Sequence, residues 1–167
     1  MLEIREATAA DVVHVHAMIL ELARYERAEH EVVGTESDLR RALFPDVGTP
    51  HVFCDVAMLD GEHAGFAVWF LNYSTWLAAP GIYLEDLYVC PTSRRAGVGQ
   101  ALLARLAARC VERGYGRLDW AVLDWNEPAI RFYEALGAEA LTSWRPHRIT
   151  GDALVRLARR RQPVAPK

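Results

Sequence analysis

Residues 88–102, YVCPTSRRAGVGQAL, contain the strongest signal of fold and function in the sequence. A predicted strand ends in this stretch, two arginines follow, and Gly97 and Gly99 lead into a predicted helix. Glycine allows the backbone to take a positive φ and to approach a ligand closely. The free N–H groups and the dipole of a helix N-terminus attract anions. Arg94 and Arg95 add positive charge, so this turn is predicted to bind a pyrophosphate group.

Three ligand classes contain such a pyrophosphate. A nucleoside triphosphate requires Lys and then Ser or Thr after the last glycine, where Gln100 and Ala101 stand. A dinucleotide requires a third small residue where Leu102 stands, although Asp119 lies twenty residues after Gly99, so this class is weakened rather than excluded. Coenzyme A is the remaining common ligand. A tight turn with two incidental arginines is the non-functional alternative.

Outward from this turn, the hydrophobic periodicity predicts the order β-α-α-β-β-β-α-β-α-β. Upstream, a helix is expected from Thr8 to near Arg27, a capping box of Thr35 and Asp38 opens a second helix, and a hairpin turn is expected at residues 60–61. The other predicted elements are strands 2–7, 51–59, 63–72, 82–89 and 117–123, a loop over 74–81, helices 98–113 and 128–136, and two strands, or a strand and a helix, over 140–149 and 152–160. This is a mixed α/β pattern with a meander in its first half.

The composition indicates a globular protein, because 51% of its 167 residues are hydrophobic and 25% are charged. One domain is expected over residues 1–160, followed by a basic tail over 161–167. Residues 156–167 contain five basic and no acidic residues, so residues 1–155 carry a net charge of −8. That charge argues against nucleic acid as a partner. With no apolar run long enough to span a bilayer, a membrane partner is not expected either.

The three cysteines are odd in number and far apart, which predicts neither a disulfide framework nor a zinc site. We expect Cys54, Cys90 and Cys110 to act as small apolar residues in a reducing compartment, so a cytoplasmic location is predicted. The six histidines form no recognisable ligand pair, and no metal site is predicted.

Three motifs together resemble a known family. The pattern Arg94-x-x-Gly97-x-Gly99 resembles the coenzyme A loop of the Gcn5-related N-acetyltransferase (GNAT) superfamily. Residues 125–138, WNEPAIRFYEALGA, are similar to the next conserved helix of that superfamily. Residues 83–89, YLEDLYV, together with 125–128 resemble its diamine (spermidine/spermine) acetyltransferase branch, as do IREATAAD from Ile4 and ELARYE ending at Tyr25 and Glu26.

This resemblance implies a fold and a function. The fold would be a GNAT-type α/β fold: a mixed, mostly antiparallel central sheet flanked by helices, with a splayed pair of central strands. The function would be transfer of an acetyl group from acetyl-CoA to the primary amine of a small cationic substrate, by direct attack in a ternary complex. A diamine, a polyamine or a basic amino acid would fit, and a homodimer is expected. The alternatives are a protein or peptide N-acetyltransferase and a non-catalytic acetyl-CoA-binding module.

The resemblance also assigns the cofactor-binding residues. The edge of one splayed strand would pair with the pantetheine of the cofactor, and a backbone N–H of Leu87 or Val89 would donate to the thioester oxygen. The residues implied are Leu87, Tyr88 and Val89 on the strand, Arg94, Arg95, Ala96, Gly97, Val98, Gly99 and Gln100 in the turn, and Asn126, Glu127, Pro128 and Ala129 before the next helix.

The resemblance implies Tyr133 as the acid that protonates the leaving thiolate. Two adjacent acids within an otherwise apolar strand are unusual, so Glu85 is predicted to be the base or the anchor of the amine. Strand alternation predicts that Glu85 shares a face with Leu87 and Val89, opposite Leu84, Asp86 and Tyr88. The residues expected to contact the substrate are Tyr25, Glu26, Glu85, Asp86, Asp119 and Trp120.

One departure from the branch concerns the segment between Leu141 and Trp144. Only Thr142 and Ser143 stand there, whereas polyamine acetyltransferases have a longer stretch with two further acids. The missing acid puts spermine and spermidine in doubt as substrates.

Overall fold

A computed structural model describes residues 1–160, and the predicted basic tail, 161–167, lies outside the described residues. The described residues form two compact units, Met1–Ala121 and a second that begins at Val122. That residues 1–160 act as one N-acetyltransferase domain stays a prediction. Within the described part, no helix is long and apolar enough to cross a bilayer.

The elements of the first unit are β1 (Leu2–Glu6), α1 (Val12–Tyr25), a 3₁₀ turn (Glu29–Glu31), α2 (Glu36–Leu43), β2 (Phe53–Leu59), β3 (Glu62–Ser74), β4 (Ala79–Val89), a 3₁₀ turn (Pro91–Ser93), α3 (Val98–Arg113) and β5 (Leu118–Trp120).

The first unit is built on a five-stranded sheet in the order β1-β2-β3-β4-β5. Strands β1 to β4 form an antiparallel meander, and β5 pairs with β4 in parallel. The predicted mixed, mostly antiparallel sheet with flanking helices is therefore confirmed.

Helices cover both faces of this sheet. The side chains of Val15 and Met18 on α1 and Leu43 on α2 pack with Phe66 and Tyr88 on one face. On the other face lies α3, whose buried residues are Val98, Leu102, Leu103, Leu106 and Cys110. Burial of these apolar stripes stabilises the unit by roughly 25 cal/mol per Å² of apolar surface removed from water.

Several local predictions are confirmed. Thr35 and Asp38 form the expected capping box at the start of α2. Asp60 and Gly61 have positive φ angles of 52° and 90° in the tight turn between β2 and β3. Gly114 ends α3 at its predicted position with a φ of 67°.

Three predicted boundaries are wrong. The strand predicted over residues 117–123 is limited to β5, Leu118–Trp120. Helix α1 begins at Val12 rather than near Thr8, because the Asp11 carboxylate accepts hydrogen bonds from the backbone N–H and the hydroxyl of Thr8 and so stabilises a turn before the helix. The loop predicted over residues 74–81 is only four residues long, 75–78, because β3 and β4 continue to pair as far as Ser74 opposite Ala79.

The second unit contains α4 (Glu127–Ala135) and α5 (Gly151–Ala158). The sequence predicted either two strands or a strand and a helix over residues 140–149 and 152–160. Helix α5 is the helix of the second arrangement. The strand expected over residues 140–149 is absent from the described chain. Pro146 lies in that stretch, and proline lacks the N–H that a strand interior needs.

Candidate active site

The parallel pair β4 and β5 separates after three residues. Strand β5 pairs with β4 only from Ile82 opposite Leu118 to Leu84 opposite Trp120, whereas β4 continues to Val89. Among the described residues, no strand pairs with residues 85–89 on the β5 side. This is the splayed pair of strands that the sequence predicted, and it leaves one edge of β4 open.

The backbone groups at this open edge follow from the register with β3. In an antiparallel pair, hydrogen-bonded and non-hydrogen-bonded residue pairs alternate. The N–H of Cys90 donates to the carbonyl of Ala64 at 2.9 Å. By alternation, the backbone of Tyr88 also forms hydrogen bonds with β3, whereas the backbones of Leu87 and Val89 do not. The N–H groups of Leu87 and Val89 therefore point away from β3, toward the open edge.

A β-bulge lies immediately before this edge. Leu84 is opposite Trp69 and Asp86 is opposite the adjacent Val68, so Glu85 is an extra residue on β4. Paired residues lie on the same face of a sheet, so Leu84 faces α3 while Asp86 faces α1. The alternation predicted from the sequence, with Leu84 on the face of Asp86, is wrong because a bulge changes the direction of the following side chains.

Three carboxylates come together between β4 and the end of α1. Asp86 is partly buried, and burial first, then the negative charges of Glu85 and Glu26, raise its pKa to about 6. Burial also raises the pKa of Glu26. Glu85 is exposed. A cluster of carboxylates that raises the pKa of one member favours a bound cation, because a positive charge would relieve their mutual repulsion.

Arg94 connects this cluster with the predicted anion-binding turn. Its guanidinium carbon lies 5.6 Å from the centre of the Tyr25 ring, and its Nε lies 3.4 Å from the carbonyl oxygen of Val89. Arginine over an aromatic face is attracted by the ring quadrupole. The side chains of Tyr25 and Glu26 at the end of α1 thus lie close to the carboxyl end of β4. Their contact with the substrate stays a prediction.

Sequence reasoning missed Glu21 at this location. The hydroxyl of Tyr88 donates a hydrogen bond of 2.7 Å to Glu21, and burial together with this carboxylate raises the pKa of Tyr88. The Tyr88 side chain is buried on the α1 face. Glu21 lies one helical turn before Tyr25, and that spacing was the available signal.

The turn before α3 has the backbone shape of an anion-binding site. Arg95 and Gly97 have φ angles of 67° and 80°, and no side chain caps the first turn of the sixteen-residue helix α3. A Cβ atom at Gly97 would meet no atom within 4 Å, so the positive φ, not crowding, favours glycine there. Uncapped N–H groups beside the exposed Arg94 and Arg95 fit the pyrophosphate of coenzyme A. The residues of this turn are Arg94, Arg95, Ala96, Gly97, Val98, Gly99 and Gln100.

Asp119 and Trp120 lie on β5. The Asp119 carboxylate forms an ion pair of 2.7 Å with Arg117 and accepts a hydrogen bond of 2.8 Å from Asn72. Its charge is therefore compensated within the sheet. Trp120 is partly buried and lies opposite Leu84.

The remaining predicted residues belong to the second unit. Asn126 is the N-cap of α4, and its side chain accepts a hydrogen bond of 3.4 Å from the N–H of Ala129. Tyr133 lies within α4, partly buried, with its ring 5.3 Å from that of Phe132. Glu127 and Pro128 form the first turn, where Glu127 pairs with Arg131 at 2.9 Å.

Across residues 1–160, no group of three or more histidine, cysteine, aspartate or glutamate side chains is arranged to hold a metal ion.

Characterised proteins resemble the chain over nearly its whole length. The thialysine N-epsilon-acetyltransferase of Bos taurus is 37% identical over 93% of this chain and 96% of its own. The L-ornithine N5-acetyltransferase of Arabidopsis thaliana is 34% identical over 90% of this chain and 85% of its own.

Solved structures share the fold. An integron cassette protein from V. cholerae superposes with a TM-score of 0.77 at 26% identity, covering 94% of this chain and 97% of that protein. An aminoglycoside acetyltransferase from an uncultured soil sample has a TM-score of 0.72 at 17% identity, covering 89% and 97%. The model of the acetyltransferase (GNAT) family matches residues 19–138. The chain belongs to the acetyltransferase (GNAT) family and is an acetyltransferase, as its three motifs predicted.

Proposed function

We propose that this protein transfers an acetyl group from acetyl-CoA to the primary amine of a small cationic substrate by direct attack in a ternary complex. Members of its family use acetyl-CoA as the acetyl donor. The observation that carries the proposal is the cluster of Glu26, Glu85 and Asp86 beside the open edge of β4. A cationic amine is attracted by these carboxylates, and the acyl donor would lie along the adjacent edge.

Two features of the chain would hold the donor. The uncapped N-terminus of α3 with Arg94 and Arg95 would bind the pyrophosphate. The N–H groups of Leu87 and Val89 would pair with the pantetheine, and one of them would donate to the thioester oxygen as it gains negative charge. Loss of such a hydrogen-bond donor costs about 3 kcal/mol of transition-state stabilisation. Residues 126–129 are proposed to line the donor on resemblance alone.

The carboxylates would bind and deprotonate the amine. Glu85, exposed at the bulge, would contact the ammonium group directly or through water. The sequence assigned the base to Glu85, but the raised pKa of Asp86, about 6, makes Asp86 the better proton acceptor near neutral pH. Tyr25 and Glu26 would contact the rest of the substrate.

The final proton transfer is assigned to Tyr133. Acetyl-CoA supplies the acetyl group as a thioester: the new C–N bond forms, the C–S bond breaks, and the sulfur leaves as a thiolate. The phenol of Tyr133 would donate its proton to that thiolate. A donor within reach lowers the barrier, since the thiol has an ordinary pKa near 8.5.

Basic amino acids and short diamines are the favoured acceptors. The relatives named above act on ornithine and thialysine, both small and cationic. The short segment at Thr142 and Ser143 removes an acid that a longer polyamine would need. Asp119 is already paired with Arg117, which leaves less negative charge for a distal ammonium group.

We further propose that the protein is a cytoplasmic homodimer, on resemblance to the diamine acetyltransferase branch and on its three free cysteines. Analytical sedimentation at micromolar concentration would contradict the dimer if it gave only the mass of one chain, 18.8 kDa.

A thiol-release assay with acetyl-CoA tests the proposed activity. The acceptor panel should contain ornithine, lysine, thialysine, putrescine, spermidine and a peptide with a free N-terminus. We expect turnover with the first four, less with spermidine, and none with the peptide. Turnover with the peptide alone, or acetyl-CoA binding without turnover of any amine, would contradict the proposal.

A further inference from the structure

A cavity lies in the first unit, away from the candidate active site. It has a volume of about 650 Å³ and lies between the segment joining α2 to β2, the start of β2 and the C-terminal end of α3. Small-molecule sites typically measure about 300–1,000 Å³. Gly97 and Arg113 are separated by the length of α3, about 24 Å at 1.5 Å per residue. None of the residues that line the cavity belongs to the proposed acetyl-transfer site.

An electrically balanced network surrounds the buried Asp55 at the floor of the cavity. Asp55 is fully buried and accepts hydrogen bonds from Trp69 Nε1 at 2.9 Å, Arg105 Nε at 2.9 Å and Arg109 Nη1 at 2.8 Å. Arg109 also pairs with Glu6 at 2.8 Å and lies 4.6 Å from the centre of the Trp69 ring. Two arginines thus compensate two carboxylates, and the floor has no net charge.

The walls of the cavity are mainly apolar. Phe53 stacks on Trp69 with ring centres 4.5 Å apart, and Phe44, Pro45 and Pro50 also line the cavity. Aromatic and proline side chains have few rotamers, so these walls are largely preformed. A ligand that displaces water from them gains roughly 25 cal/mol per Å² of apolar surface buried.

The rim carries one uncompensated charge. Arg113 and Tyr115 line the cavity, and within residues 1–160 neither side chain forms a hydrogen bond or an ion pair. The cavity thus offers a guanidinium and a phenol hydroxyl, both donors, beside apolar walls and above a neutral floor. Guanidinium pairs with a carboxylate through two parallel hydrogen bonds.

We propose that this cavity binds a small molecule with an apolar body and a single carboxylate. Its carboxylate pairs with Arg113 and accepts from Tyr115, and its apolar part lies against Phe53 and Phe44. A cationic ligand would meet the unpaired charge of Arg113, and a dianion would leave its second charge beside apolar walls. The proposal concerns binding alone and does not depend on the proposed acetyl transfer.

The test compares phenylacetate with 2-phenylethanol, which has the same ring and chain length but no charge. Titration calorimetry is expected to give phenylacetate an affinity at least about tenfold higher than that of the alcohol. Arg113→Gln should abolish this difference, and Tyr115→Phe should weaken phenylacetate binding severalfold. Arg41→Gln is the matched control, because Arg41 is an exposed arginine on α2 that does not line the cavity. Its binding of phenylacetate should equal that of the unaltered protein.

The location of the bound acid is tested independently. The indole N–H resonance of Trp69, whose proton is donated to Asp55, should shift on addition of phenylacetate, with or without saturating coenzyme A. Equal binding of acid and alcohol, no binding at millimolar concentration, unchanged binding by Arg113→Gln, or competition with coenzyme A would each overturn the proposal. Because Arg113 is exposed, Arg113→Gln is expected to fold, and Tyr115→Phe tests the same site without removing a charge.

Discussion

Leu84 and Asp86 are two residues apart on β4 yet face opposite sides of the sheet. Glu85 between them is a β-bulge, with Trp69 opposite Leu84 and the adjacent Val68 opposite Asp86. An unbroken strand would have placed the Asp86 carboxylate under α3, beside the buried Leu84. The bulge places it instead near Glu26 and the end of α1, where burial and then the charges of Glu85 and Glu26 raise its pKa. The arrangement of the acidic cluster therefore depends on one extra residue.

The first prediction concerns the pH dependence of Asp86→Asn. If Asp86 accepts the amine proton, kcat/KM of the unaltered enzyme should rise with pH through about 6, as this carboxyl group ionises. Asp86→Asn should lose that rise and lower kcat by about 10²–10⁴-fold. Glu85→Gln is the matched control. Glu85→Gln should have a higher KM for the amine, and its kcat/KM should still increase with pH through about 6. If that increase were lost only in Glu85→Gln, Glu85 and not Asp86 would be the base.

The second prediction concerns the stability of the same variant. The folded-state pKa of Asp86, about 6, lies above its ordinary value of 3.8. Protonation of Asp86 therefore favours the folded state below the ordinary pKa, and this contribution is lost as the pH rises through about 6. Urea unfolding of Asp86→Asn should show a gain in the free energy of unfolding over the unaltered protein. That gain should grow by about 1–3 kcal/mol between pH 4 and pH 7.5. A pH-independent difference would contradict the raised pKa.

The third prediction tests the turn before α3. Gly97→Asp should lower coenzyme A affinity by at least about tenfold, because it places a negative charge beside the helix N-terminus. Gly97→Ala places a side chain at the same positive φ but adds no charge. It should lower the free energy of unfolding by only about 1 kcal/mol. Calorimetry on both folded variants separates the two effects. Unchanged affinity in Gly97→Asp would move the pyrophosphate site elsewhere.

The fourth prediction concerns Tyr133→Phe. Removal of the hydroxyl keeps the ring next to Phe132, so the fold should persist while turnover falls by about 10²–10⁴-fold. Coenzyme A binding should change little, because the proton is needed only as charge develops on sulfur. Tyr73→Phe, on the exposed part of β3, is the control and should retain full turnover. Near-normal turnover in Tyr133→Phe would exclude Tyr133 as the proton donor and show that its ring only packs in the fold.

The fifth prediction concerns the buried network of Asp55. Asp55→Ala removes the fully buried carboxylate shared by Arg109, whose side chain is mostly buried, and Arg105, whose side chain is partly exposed. Loss of one partner of such a network is expected to lower the free energy of unfolding by about 3–5 kcal/mol. Chemical denaturation measures this loss. A change below about 1 kcal/mol would indicate that Glu6 alone compensates both arginines.

Where the controlling interactions are local, the sequence was sufficient. The bounds of α3 and its end at Gly114 follow from apolar spacing and one glycine, and the capping box of Thr35 and Asp38 spans four residues. The Asp60-Gly61 hairpin also lies within a single turn. The three motifs predicted the family for the same reason, because each signal is contained in a short stretch of chain. Anion binding by the turn of residues 94–100 stays a prediction.

Other features needed the tertiary structure. The bulge at Glu85 is a property of the register between β3 and β4, and no residue within β4 signals it. The raised pKa of Asp86 depends on burial and on Glu26, sixty residues away in the chain. The pairing of Tyr88 with Glu21, the compensation of Asp119 by Arg117 and Asn72, and the cavity above Asp55 likewise join different elements. Residue patterns predict what a segment can form. Which charges are buried, paired or left free is decided by the distances between segments, and only the folded chain sets those distances.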